Sequence, residues 1–253
     1  MNIILVVRKK EFFLTICEKM CYNIRKEYIV DKVRIIEVKQ SVFENNDKEA
    51  NELRSDLKNE GTYLINLMSS PGSGKTTTLL KTIDKLKDKI KIGVMEADID
   101  SDVDAKKIAT TGVKAIQLHT GGMCHLDAAM TKEGLTELGT SDLDLVFLEN
   151  VGNLVCPAEF DTGAIKNVMI LSVPEGDDKP LKYPLIFTVC DVLLINKMDT
   201  LSLFDFDIDR LKKNAKMRNP NIKIFPISAK TGQGIDEWCD YLYNEVDAWR
   251  KQQ

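Results

Sequence analysis

No stretch of the sequence approaches the ~20 consecutive apolar residues that a membrane-spanning helix requires, so no membrane role is expected. The opening run Ile3–Val7 is short and precedes Arg8-Lys9-Lys10 instead of following them, the reverse of a secretory signal. A basic excess is also missing. The formal net charge is −4, whereas nucleic-acid binders usually present a basic face, so no nucleic-acid partner is expected. Nor is there a disulfide framework. Six cysteines at irregular spacing among 253 residues point to a reducing cytoplasm, where a cysteine that matters is a metal ligand or a core residue. Internal repeats and low-complexity tracts are absent, and histidine is reduced to two residues. What remains is an ordinary globular composition, 43% hydrophobic and 29% charged, at a length that suits one large α/β domain with a short appendage.

The chain is organised around Ser69-Ser70-Pro71-Gly72-Ser73-Gly74-Lys75-Thr76-Thr77-Thr78. The apolar run Tyr63–Met68 enters this stretch and a helical pattern leaves it near Gly74. Strand, glycine-containing loop and helix in that order make a phosphate cradle, with Pro71 to Thr77 supplying inward N–H groups and a positive helix end. Lys75 reaches the outer phosphates, and the Thr76 hydroxyl takes one position on magnesium. The full pattern asks for glycine where this sequence has Ser69.

Residues 1–32 are a weakly periodic extension of unknown role, in which Cys17 and Cys21 are too few thiols for a metal site. Residues 33–253 form the main domain. From Glu37 to Gly61 the pattern is helical and charged, with Gly61 at the position after the helix end. Strands are expected at Tyr63–Met68, Lys91–Glu96, Ala115–Leu118, Leu143–Glu149, Val168–Val173, Asp191–Ile195 and Lys223–Pro226. Helices are expected at Thr76–Lys87, Asp102–Thr111, Leu126–Leu138, Phe206–Met217 and Ile235–Arg250. Such alternation predicts a mainly parallel sheet covered on both faces, with ligands beyond the carboxyl ends of the strands.

The nucleotide follows from two later segments. Asn196-Lys197-Met198-Asp199 leaves the buried run Val192–Ile195. A carboxylate there accepts from the ring N–H and exocyclic amine of guanine, a donor pair that adenine lacks, and each charge-assisted bond is worth roughly 1.5–3 kcal/mol. Asn196 and Lys197 brace the base pocket against the phosphate loop. Farther on, Ser228-Ala229-Lys230 follows a strand and offers the Ala229 amide to the guanine carbonyl. Three segments in this order indicate GTP or GDP.

Four more segments carry a resemblance: Glu96 to Ala105, Thr120-Gly121-Gly122-Met123-Cys124-His125-Leu126-Asp127-Ala128, Glu149 to Asp161, and Glu175-Gly176-Asp177-Asp178-Lys179-Pro180-Leu181-Lys182-Tyr183-Pro184. With the nucleotide motifs they closely resemble the HypB family, GTPases that help load nickel into nickel–iron hydrogenases. The likeness runs from about Val33 to the carboxyl end. It implies a three-layer P-loop NTPase fold, a homodimer favoured by GTP or by metal, and a metal site at Cys124, His125 and Cys156 for nickel or zinc. It also implies as partners the nickel accessory protein HypA and the hydrogenase large-subunit precursor. Thiolate and imidazole suit both metals, and three ligands from one chain invite a second subunit or water. Many relatives carry a cysteine-rich amino-terminal nickel motif or a histidine-rich tract. Neither is in this sequence, so nickel storage is not expected.

The reaction expected is attack of water on the γ-phosphate of GTP. Lys75 stabilises charge, Asp98, Asp104 and Glu149 are the carboxylates for magnesium or water, and the resemblance favours Asp104 as the catalytic one. Glu149-x-x-Gly152 stands where most GTPases carry Asp-x-x-Gly. No glutamine follows Gly152 and no arginine finger is evident, so intrinsic hydrolysis should be slow. The rival readings are a small-molecule P-loop kinase, an accessory GTPase of the urease type, and a non-catalytic GTP-dependent zinc scaffold.

Overall fold

The computed structural model describes residues 28–30, 33–35, 39–98 and 107–252 of the chain. Two compact units divide it, Met1–Lys48 and Glu49–Gln253. In the first, β1 (Tyr28–Val30) and β2 (Val33–Ile35) pair antiparallel, with Tyr28 opposite Ile35. Helix α1 (Lys39–Glu60) begins in that unit and ends in the second. Its end is closed by Gly61 at φ 76°, with Thr62 N–H donating to the Leu57 carbonyl at 3.1 Å and Gly61 N–H to that of Lys58 at 3.3 Å. This two-bond left-handed cap is the one the glycine predicts.

The second unit is built on a seven-stranded sheet. In chain order its strands are β3 (Tyr63–Ser69), β4 (Ile92–Asp98), β5 (Lys114–His119), β6 (Leu145–Glu149), β7 (Lys166–Ser172), β8 (Val192–Asn196) and β9 (Lys223–Pro226). In space the order is β5-β4-β6-β3-β7-β8-β9, and every pairing is parallel. The phosphate-loop strand β3 therefore lies at the centre, and all seven of its residues are buried. A strand covered on both faces must be apolar throughout, and this is why Leu145–Glu149 and Val192–Asn196 show no alternation. The edge strands β5 and β9 are only half-buried.

Two helical layers cover the sheet. On one face α2 (Lys75–Leu86) and α8 (Ile235–Arg250) pack Leu79, Ile83, Trp238 and Leu242 against Ile65 and Leu67 of β3. The opposite side of the same strand gives Leu64 to a cluster with Leu53 and Leu57 of α1 and Leu135 of α3 (Ala128–Leu138). It also gives Met68 to a cluster with Phe187 and Leu211. Those two residues come from α6 (Pro184–Val189) and α7 (Ile208–Arg218), and α4 (Cys156–Glu159) and α5 (Lys179–Lys182) are single-turn pieces before them. The fold is the three-layer α/β arrangement expected. Strand ends differ by one or two residues, since polar ends such as Ser69, Ser172 and Asn196 stay in the ladder through their backbones. Of the helix expected at Asp102–Thr111, residues 107–109 are helical and 102–106 lie outside the described residues.

Candidate functional site

β3 delivers its carboxyl end to a cavity of about 640 Å³ lined by Ser69, Pro71, Gly72, Gly74, Lys75, Thr76 and Thr77, with Glu96, Lys107, Glu149, Gly152 and Lys197 around them. The loop turns through two left-handed glycines, Gly72 at φ 75° and Gly74 at φ 95°. Gly74 immediately precedes α2, whose amino end points its free N–H groups at the cavity. The expected phosphate-binding residues are thus brought together, with Ser73 buried beneath them. Ser69 holds the place of the missing first glycine without strain, as the last residue of β3, and its hydroxyl donates to the Ser70 carbonyl at 3.0 Å.

A second set of loops clasps this one from β8 and β9. Asn196, 1% exposed, donates Nδ2 to the Ser73 carbonyl at 2.9 Å and accepts from the Ala229 N–H at 3.0 Å. One carboxamide therefore joins the phosphate loop to the Ser228–Lys230 loop. Lys197 donates Nζ to the Gly72 carbonyl at 2.7 Å. It is the only non-glycine residue with positive φ among the described residues, at 62°, a conformation that costs an L-residue roughly 1–2 kcal/mol. Asp199 lies in the first turn of the 3-10 helix Met198–Leu203, and its carboxylate accepts from the Ser228 hydroxyl at 2.6 Å. Lys230, which follows Ala229 in that loop, is exposed.

Beside Lys75 and Thr76, Glu149 closes β6 and is 1% exposed. Its Oε1 accepts from the Thr76 hydroxyl at 2.7 Å and faces Lys75 Nζ at 3.5 Å. Hard oxygen donors beside a phosphate cradle are the donor set magnesium takes, so these residues fit that ion. Gly152 then passes close over Pro71, where a Cβ would lie 3.2 Å from the proline ring. The loop that follows β6 and the phosphate loop are in direct contact.

That same loop continues to Cys156, the first residue of α4. One ligating atom from each of Cys124, His125 and Cys156 lies within 4.8 Å of the others. Cys124 Sγ is 3.9 Å from His125 Nδ1. The segment Cys124–His125 is held at both ends. Thr120 closes a turn onto Met123, its hydroxyl donating to the Met123 carbonyl at 2.6 Å, and Asp127 caps α3 by accepting from the Met130 N–H at 2.9 Å. Burial lowers the imidazole pKa of His125 below its usual value, favouring the neutral ring that ligates metals. Burial, then hydrogen bonding and charge from Cys124, raise the Cys156 thiol.

Residues 63–226 match the family model described as CobW/HypB/UreG, nucleotide-binding domain. Among curated relatives, the hydrogenase maturation factor HypB of Azotobacter chroococcum mcd 1 is 45% identical over 215 residues, covering 85% of this chain and 70% of that protein. The chain belongs to the HypB family. Solved structures agree. HypB from Archaeoglobus fulgidus superposes with a TM-score of 0.75 at 40% identity, covering 80% of this chain and 99% of that one. HypB from Helicobacter pylori in complex with nickel gives 0.75 at 38%, covering 81% and 96%.

Two of the expected carboxylates of this HypB-family chain have no described side chain. Asp98 ends β4, and Asp104 lies outside the described residues, as do Cys17 and Cys21. His119 ends β5 and is exposed. Three contributors escaped the sequence reading. Glu96 is buried at 4% exposure and lines the phosphate cavity. Glu175 caps its own turn by accepting from Ser172 N–H and Oγ, both at 2.7 Å, and also takes the Ser70 hydroxyl of the phosphate loop. Phe160 lies flat on His125. Spacing carries no sign of these contacts, although Glu175 three residues after Ser172 is a capping-box signal.

Proposed function

We propose that the chain hydrolyses GTP to time the holding and release of nickel during maturation of nickel–iron hydrogenases. The observation that carries this reading is the position of Cys156 on the loop that begins at Glu149 and crosses Pro71 at Gly152. A change at the γ-phosphate end of that loop moves one thiol relative to Cys124 and His125, which sit on a different segment. Asp199 supplies the acceptor for guanine and the Ala229 amide meets the guanine carbonyl, with Lys230 on the same loop as Ala229. Gly72 to Thr77 and Lys75 hold the phosphates, and Thr76 and Glu149, with Asp98 and Asp104, would hold magnesium, which when bound would neutralise phosphate charge. Asp104 orients the water, whose oxygen bonds to the γ-phosphorus as the bond to the β,γ-bridging oxygen breaks, leaving GDP and phosphate.

Nickel is cargo in this scheme, and zinc competes for the same ligands. Three ligands fall one short of the usual tetrahedral set, and Met123 and Val155 beside them are 41% and 47% exposed. Both features favour a homodimer across the metal site. HypA and the hydrogenase large-subunit precursor are the partners of this reading, in the cytoplasm; among the described residues no helix is long and apolar enough to cross a membrane. The test is nickel affinity with GDP against a non-hydrolysable GTP analogue, with single-turnover hydrolysis by the wild type and Lys75→Ala. Tighter nickel binding in one nucleotide state and loss of hydrolysis in the variant are expected. Equal affinities in the two states would overturn the coupling.

A further inference from the structure

The two segments that carry the metal ligands meet in a ring stack. His125 and Phe160 lie 3.8 Å apart between centroids with 14° between their planes. The other four ring pairs among the described residues are tilted or edge-on at 5.2 to 6.1 Å. Aromatic rings usually sit offset or edge-on, with centroids about 4.5–7 Å apart, so this contact is unusually close and flat.

Phe160 is also held from behind. Asp161, the next residue, accepts from the Arg54 guanidinium through both carboxylate oxygens and from the Gly163 N–H at 2.9 Å. Arg54 Nε donates to the Ala164 carbonyl at 3.0 Å. Leu53 covers Gly163 so tightly that a Cβ there would lie 2.7 Å from it. The chain just after Phe160 is therefore tied to α1, while the chain before it is the single turn that starts at Cys156.

From this geometry we propose that Phe160 is a positioning residue for the Cys124–His125–Cys156 cluster. A flat neighbour on the imidazole face prevents rotation about the ring's bond to Cβ. That rotation decides which nitrogen meets the thiols, and Nδ1 is the one now 3.9 Å from Cys124 Sγ. Phe160 directly follows the single turn that starts at Cys156, so the stack also links the two ligand-bearing segments to each other. The inference rests on those three residues forming a metal site.

Cobalt(II) is the probe, because its visible spectrum reports ligand number and geometry. In the wild type, one cobalt per site with thiolate charge-transfer absorption is expected. Phe160→Ala should weaken cobalt binding about 10-fold or more, the usual consequence of losing a residue that orients a ligand, and should alter the visible bands. Phe160→Tyr should restore both. In a His125→Ala background the same Phe160→Ala change should cost less than about 2-fold, because the residue it orients is gone. Equal losses in both backgrounds, or an unchanged affinity and spectrum in Phe160→Ala, would overturn the positioning role. If the wild type itself takes up no stoichiometric cobalt, the metal reading fails first and the inference falls with it.

Discussion

Replacing Gly74 by alanine should separate the phosphate loop from the base-side loops. A Cβ at Gly74 would lie 2.4 Å from Asn196 Nδ2, and the site is occupied at φ 95°. Left-handed backbone costs an L-residue roughly 1–2 kcal/mol. Asn196 must also move, losing its bonds to the Ser73 carbonyl and the Ala229 N–H. Each loss leaves a buried group without its partner at about 1–3 kcal/mol. The sum is roughly 3–8 kcal/mol of folding stability, comparable to the whole stability of many domains. Urea unfolding of the nucleotide-free protein measures it, and titration with a fluorescent GDP analogue measures the accompanying loss of affinity. The decisive comparison is a double-mutant cycle with Asn196→Ala. That change alone removes the same two bonds. If the clash is what matters, Gly74→Ala/Asn196→Ala should be about as unstable as Gly74→Ala by itself, falling roughly 2 kcal/mol or more short of the sum of the single changes. Effects that add to within about 0.5 kcal/mol would refute the idea that the glycine exists to admit Asn196.

Asp199→Asn places an amide donor where the guanine donors need an acceptor, so GDP affinity should fall about 100-fold or more. The same variant should gain affinity for xanthosine diphosphate, whose second ring carbonyl accepts from that amide; competition binding reads both. Trp238→Phe removes the indole donor to the Thr82 hydroxyl, now 3.0 Å away between α8 and α2. The buried position should lose about 2 kcal/mol, seen as a lower urea midpoint. Nickel uptake should release protons from the cysteines. Cys156 is raised by burial and by Cys124, whereas burial lowers His125 and keeps its ring neutral to lower pH. Apparent affinity should therefore rise with pH from about 6.5 upward and not level off by about 8.5, the ordinary thiol value, because the Cys156 thiol is held above it. Calorimetry in buffers of different ionisation enthalpy counts the protons, and a pH-independent affinity would exclude thiolate ligation.

Much of this protein was legible before any coordinates. Periodicity located the strands because a parallel sheet buried on both faces demands unbroken apolar runs, and Val192–Ile195 can be little else. Local chemistry was equally plain. A lysine and threonine behind a glycine turn, or Gly61 at a helix end, act through their own backbone neighbours, so their spacing announces them. The order of the strands in space was not written there. It is the tertiary arrangement that puts β3 between β6 and β7, and so sets Glu149 against Thr76 from a residue seventy-three positions away.

The strand ends show the same division. Hydropathy stops at Ile195, yet Asn196 is still in the ladder, because a backbone pairs whatever its side chain. Its carboxamide then clasps two distant loops. Contacts between segments leave no periodic trace. Glu175 on Ser70, Arg54 on Asp161 and Phe160 on His125 join residues 105, 107 and 35 positions apart. Local sequence therefore specified which groups the chain carries in its loops, a glycine turn followed by Lys75 and Thr76, the Asp199 carboxylate and a thiol–imidazole set. Long-range packing specified that the loop crossing Pro71 is the one that carries Cys156, because that adjacency depends on how the sheet is assembled.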